Sequence, residues 1–173
     1  MFAPILALLS GVALANAYGL KSVSTTSSDQ FTGNWDLQKT AYGALLVGGK
    51  DVPLTTSVII EGGKLKLVCP AASMEVAAAF IPTGKDAPKY TVQFVSKTDD
   101  LPEGSIFEGW TTQDDGVPMP DGLTKVVNTD VGLDGSYGLA PIDGANALTW
   151  SAKGNGAQWF MAIDETEDVH CTQ

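Results

Sequence analysis

Ile59-Ile60-Glu61-Gly62-Gly63-Lys64-Leu65-Lys66-Leu67-Val68-Cys69 holds two short apolar-rich runs around a pair of glycines. In the second run Leu65, Leu67 and Cys69 alternate with Lys64 and Lys66. Successive side chains of a strand point to opposite faces, so this alternation predicts a half-buried strand. Gly62-Gly63 supplies the positive φ angles that a two-residue hairpin turn requires. The same alternation returns in Tyr90-Thr91-Val92-Gln93-Phe94, where Tyr90, Val92 and Phe94 oppose Thr91 and Gln93. Lys153-Gly154-Asn155-Gly156 predicts a second tight turn, joining the last two strands.

Outward from these segments the pattern is of short apolar or alternating runs separated by Gly, Pro, Asp and Asn. Strands are expected over Asn34–Thr40, Leu54–Ile60, Lys64–Cys69, Met74–Phe80, Tyr90–Ser96, Ser105–Thr111, Leu123–Asn128, Ala147–Ala152 and Ala157–Asp164. Residues 70–79 are alanine-rich and compatible with a helix, but a strand is the preferred reading. Nineteen glycines and nine prolines suit an all-β chain with many turns. Tyr18–Gln30 is polar and reads as a loose, flexible leader. Antiparallel strands joined by hairpins must hide their edges, in a closed barrel or in a sandwich. The expected architecture is an antiparallel up-and-down eight-stranded barrel, whose interior is just wide enough for one small ligand.

The chain opens with an apolar run from Phe2 to Ala15, closed by Ala15-Asn16-Ala17. The run is too short to span a bilayer, and the small-x-small ending is a signal-peptidase site. Residues 1–17 are therefore expected to be a signal peptide, 18–30 the leader, and 31–173 one domain of a secreted protein. Net charge is −10, with ten lysines and no arginine. Such a surface repels phosphates, which argues against nucleic acid and anionic membranes as partners. No later run predicts membrane insertion. In an oxidising compartment the two cysteines, Cys69 and Cys171, are expected to be bridged. That bridge would close a loop of about 100 residues and be worth up to about 4–5 kcal/mol on chain entropy.

Phe31-Thr32-Gly33-Asn34-Trp35 places a G-x-W at the start of an early strand. In this position it resembles the lipocalin family and, less closely, the avidins. The cysteine placement and the run from Val52 to Leu67 resemble the lipocalins too. The family's T-D-Y motif has its nearest counterpart in Asn128-Thr129-Asp130-Val131. The arginine that lipocalins stack on the first-strand Trp is absent, with Lys153 as a candidate substitute. The resemblance implies that Gly33 turns the chain into the barrel and that Trp35 plugs its closed end. It also implies a Cys69–Cys171 disulfide, and a carrier that holds an apolar or amphipathic molecule. The cavity of such a barrel would be lined by Leu65, Leu67, Val76, Phe80, Tyr90, Val92, Phe94, Ile106, Trp110 and Trp150, since small-molecule pockets are mostly apolar. Ordinary core packing is the competing reading for each of these aromatic residues.

Catalytic patterns are scarce. The single histidine, His170, adjoins Cys171, and a bridged Cys171 is no nucleophile. A lone histidine excludes multi-histidine metal sites. Asp130-x-x-x-Asp134-Gly135 lacks the remaining ligands of a calcium loop, because Pro141 stands where the terminal Glu belongs. No cofactor or metal is therefore expected. Two alternatives to the carrier stay open: a β-sandwich structural or interaction protein, and a secreted enzyme using paired carboxylates.

Overall fold

The structure is a computed structural model that describes residues 17–24, 31–39, 43–49, 56–68, 75–96, 100–114, 119, 121–132, 135–142, 145–152 and 159–164. Regular structure among them is entirely β, with no helix. Twelve strands run β1 Tyr18–Ser24, β2 Phe31–Lys39, β3 Ala44–Gly49, β4 Ser57–Glu61, β5 Lys64–Leu67, β6 Ala77–Pro82, β7 Tyr90–Val95, β8 Trp110–Gln113, β9 Leu123–Asn128, β10 Ser136–Ile142, β11 Ala145–Ser151 and β12 Trp159–Asp164. All of the pairings between them are antiparallel.

The predicted β4–β5 hairpin is present, pairing Val58 with Leu67, Ile60 with Leu65 and Glu61 with Lys64. Gly62 and Gly63 have φ of 58° and 75°, the two positive values that match the turn to the twist of its strands. The alanine-rich run contributes β6, a strand as preferred. β9 has the expected bounds.

Three strands were not expected. The segment read as a flexible leader is in part β1, which lies inside the sheet with Leu20, Ser22 and Val23 fully buried. Its polar composition conceals it, because its burial comes from the strands on either side. β3 was missed, and β10 was missed because Gly138 and Pro141 interrupt its apolar pattern.

The order of the sheet, β2-β1-β4-β5-β6-β7-β3-β11-β10-β12-β9-β8, also departs from an up-and-down meander. The first strand pairs with the last over Gly19–Ser24, and β11 pairs with β10 instead of turning back onto β12. The predicted hairpin between the last two strands is thus replaced by β10 lying between them. Several joints are one or two residue pairs long: β1 with β4, β5 with β6, β7 with β11, and β10 with β12. Such short pairings are unlike the continuous ladders of an eight-stranded barrel wall, and the sheet is not closed into a barrel.

One apolar core lies among these strands. It unites Leu20, Val58, Leu65, Phe80, Val92, Phe94, Trp110, Val126, Leu148 and Met161, among others. β6 and β7 are buried on both faces. Their outer face carries a second cluster, in which Ala79, Ile81 and Val95 pack under Leu101 and Phe107. Residues 100–109 form a strap: Ile106 bridges Phe80 at the edge of β6, and Leu101 and Phe107 cover part of the outer face that alternation alone leaves wet.

Candidate functional site

The ten residues predicted to line a cavity do come together. Leu65, Phe80, Tyr90, Val92, Phe94, Trp110 and Trp150 are buried in the main core, and Leu67, Val76 and Ile106 pack against it. The rings meet one another. Phe80 stacks on Trp110 with centroids 4.9 Å apart and planes 12° apart. It also meets Tyr90 edge-on at 5.9 Å, and Tyr137 at 6.2 Å. Tyr90 lies 5.8 Å from Trp150. The Trp110 indole N–H donates to the Ala78 carbonyl at 3.2 Å, satisfying its one polar group. Burial pushes the Tyr137 hydroxyl pKa well up, so that ring stays neutral. Phe80 and Trp110 thus each cover one face of the other. Tyr137 was missing from the sequence reading because its strand was missed.

Gly33 and Trp35 lie on β2, with Gly33 at the register position opposite Ser22. Their side-chain positions, as well as Cys69, Cys171 and residues 1–16, lie outside the described residues.

A groove opens on the other side of β6–β7. It has a volume of about 180 Å³ and is lined by Lys64, Glu75, Ala77, Val95, Ser96 and Phe107. Its floor is apolar, since Ala77 and Val95 are buried. Its wall is the Phe107 ring, which the strap holds in place. Ile106 exchanges two backbone hydrogen bonds with Phe80, at 2.7 and 3.1 Å. Alternation along this extended segment then places Ile106 against the main core and Phe107 on the outer cluster.

Downstream, the Asn128 side-chain amide donates to the Glu108 carbonyl at 2.6 Å, and the Thr129 N–H donates to the Gly109 carbonyl at 2.8 Å. The Trp110 N–H donates to Gly63 at 2.9 Å. Asn128-Thr129-Asp130, the counterpart of the T-D-Y motif in the sequence reading, is therefore a clasp on the strap.

The rim of the groove is charged. Lys64 Nζ lies 3.2 Å from Glu75 and 5.8 Å from the centre of the Phe107 ring. Lys66 Nζ reaches Glu75 at 3.3 Å and Glu61 at 2.9 Å. The hydrogen bond from Lys64, followed by that from Lys66, holds Glu75 below the usual carboxylate range. The Glu61 hydrogen bond, foremost, raises the pKa of Lys66. Glu75 is thus an ionised acceptor, which makes it a poor proton donor for acid catalysis. Among the described residues, no three of His, Cys, Asp and Glu gather to hold a metal ion. Sequence reasoning passed over this groove. The signal available was the polar face of β5, Lys64 and Lys66, but what faces it depends on the course of the strap.

Neither family models, nor curated proteins, nor solved structures give a match to this chain. The lipocalin resemblance therefore rests on the Gly33–Trp35 motif, the cysteine placement and the run from Val52 to Leu67.

Proposed function

We propose that the protein is a secreted binding module for a small amphipathic molecule, and that the molecule sits in the groove beside Phe107. One observation supports this above the rest. The groove brings an apolar floor and an aromatic wall beside an ion-paired rim, so apolar and polar groups face one opening. Inside the main core, Phe80 and Trp110 already stack on one another. Export is supported by the apolar run ending in Ala15-Asn16-Ala17 and by a strand that begins at Tyr18, directly after it. A disulfide between Cys69 and Cys171 belongs to the same proposal. The finer reading of the fold, a lipocalin-like barrel, belongs to the same proposal and draws its support from the Gly33–Trp35 motif.

The mutual stacking of Phe80 with Trp110 favours a second reading, a solidly packed interaction domain without a ligand. Displacement of amphipathic fluorescent probes from the secreted protein separates the two. Binding that is lost in Phe107→Ala and retained in Thr111→Ala, an exposed position on β8, supports the groove. No uptake of any probe, or uptake indifferent to Phe107→Ala, overturns it.

A further inference from the structure

We propose that the occupant of the groove is a single neutral hydroxylated ring, a pyranose unit; this rests on the binding reading above and names its ligand class. Size comes first. The groove is small, about 180 Å³. That suits one saturated ring with its substituents, whereas drug-sized ligands occupy pockets of about 300–1,000 Å³.

Charge comes next. Two lysines and two carboxylates close on one another at the rim, so an ionic ligand would have to break a pair to enter. The overall charge of −10 repels anions. A cation would meet the Lys64 ammonium, 5.8 Å from the centre of the Phe107 ring, and be repelled by it.

Hydrogen bonding completes the case. Lys64 offers only donors, Glu75 only acceptors, and the exposed Ser96 hydroxyl both. A sugar hydroxyl donates and accepts, so one polyol ring meets all three. Its C–H face lies against Phe107, Ala77 and Val95, whose apolar surface a fully polar ligand would leave uncovered. The ring is either a free monosaccharide or the end unit of a glycan, since Glu75 and Ser96 leave the groove open to solvent.

The test is a ¹H–¹⁵N NMR titration of the secreted protein with methyl glucopyranoside, methyl mannopyranoside, glucuronate, glucosamine, octyl alcohol, and a short neutral oligosaccharide. The expected result is saturable shifts from a neutral pyranoside at Lys64, Glu75, Ala77, Val95, Ser96 and Phe107, with weaker binding of both charged sugars. Binding should weaken about tenfold in Phe107→Ala, a loss of about 1.4 kcal/mol. Should that variant misfold, Ser96→Ala, at an exposed position, must weaken it as well. Tighter binding of the oligosaccharide points to a glycan end, and equal binding to a free sugar; both support the ring. If octyl alcohol shifts the groove residues and no pyranoside does, the inference falls while the binding reading stands. If nothing shifts them, both fall.

Discussion

Asn128 is 2% exposed and satisfies three backbone groups at once. Its amide donates to Glu108, and its carbonyl oxygen accepts from the N–H groups of Asp130 and Val131 at 3.0 and 3.1 Å. Asn128→Ala removes all three bonds, each worth about 0.5–1.5 kcal/mol net, since Glu108 and Asp130 are exposed residues. A loss of at least about 2 kcal/mol is expected in urea denaturation. Asn128→Asp should do no better, because it turns an acceptor toward the Glu108 carbonyl. Ser22 is the opposite case. Its hydroxyl is buried without a hydrogen-bond partner, so Ser22→Ala should raise stability by about 1 kcal/mol. A fall in the denaturation midpoint would show that the hydroxyl has a role the fold conceals. Glu75 sets a pH dependence. Its folded pKa is lowered, so its ion pairs add stability above the unfolded carboxylate pKa and lose it as pH falls through the lowered folded value. Because the residue is exposed, salt should flatten that slope, which acid titration of the wild type and Glu75→Gln at two salt concentrations will show.

The hairpin β4–β5 was legible in the sequence because every determinant is local: alternation in Lys64–Leu67 and two adjacent glycines. The interior positions of β7 and β6 were legible for the same reason, as Tyr90, Val92, Phe94 and Phe80 occupy the core by simple alternation. β1 was illegible because Ser22 is buried by its neighbours rather than by its own chemistry. The groove was illegible because Phe107 and Lys64 are 43 positions apart in the chain and meet only through the strap. The strap in turn depends on a glycine. Gly109 has φ +85°, and a Cβ there would lie 2.6 Å from Asp130 Cγ and 2.9 Å from the Asp130 backbone nitrogen. Gly109→Ala should therefore cost stability through both strain and contact, and should weaken ligand binding by shifting Phe107. At Gly62 a Cβ meets nothing within 4 Å, so only the left-handed backbone resists substitution. Gly62→Asn should fold nearly as well as wild type, while Gly62→Val, β-branched, should not. Thermal melts and probe binding on the three variants distinguish turn strain from strap displacement.

At the scale of the molecule, long ladders alternate with short joints. β1–β12, β6–β7 and β10–β11 pair over six or seven residues each, whereas β5–β6 and β10–β12 are each joined by a single pair. Opening a joint breaks few hydrogen bonds and exposes little apolar surface. Opening β6–β7 uncovers both the main core and the outer cluster. Local opening free energies should therefore rank by ladder and by the number of covered faces. Native-state hydrogen exchange is expected to leave the amides of Ala78–Ile81 and Thr91–Phe94 protected longest, near the global unfolding free energy. Next should come Leu20–Val23, with Met161 and Ala162. The amide of Leu67, which donates to the Val76 carbonyl across the single-pair β5–β6 joint, should exchange well before them. Uniform protection across ladders and joints would mean that the sheet behaves as one continuous wall, which is the behaviour of a closed barrel. Ligand should sharpen the contrast: an occupant bridging Lys64, Ala77 and Val95 spans the β5–β6 joint, so a saturating pyranoside should slow exchange at Leu67, whose amide bonds across it, and leave β1–β12 unchanged.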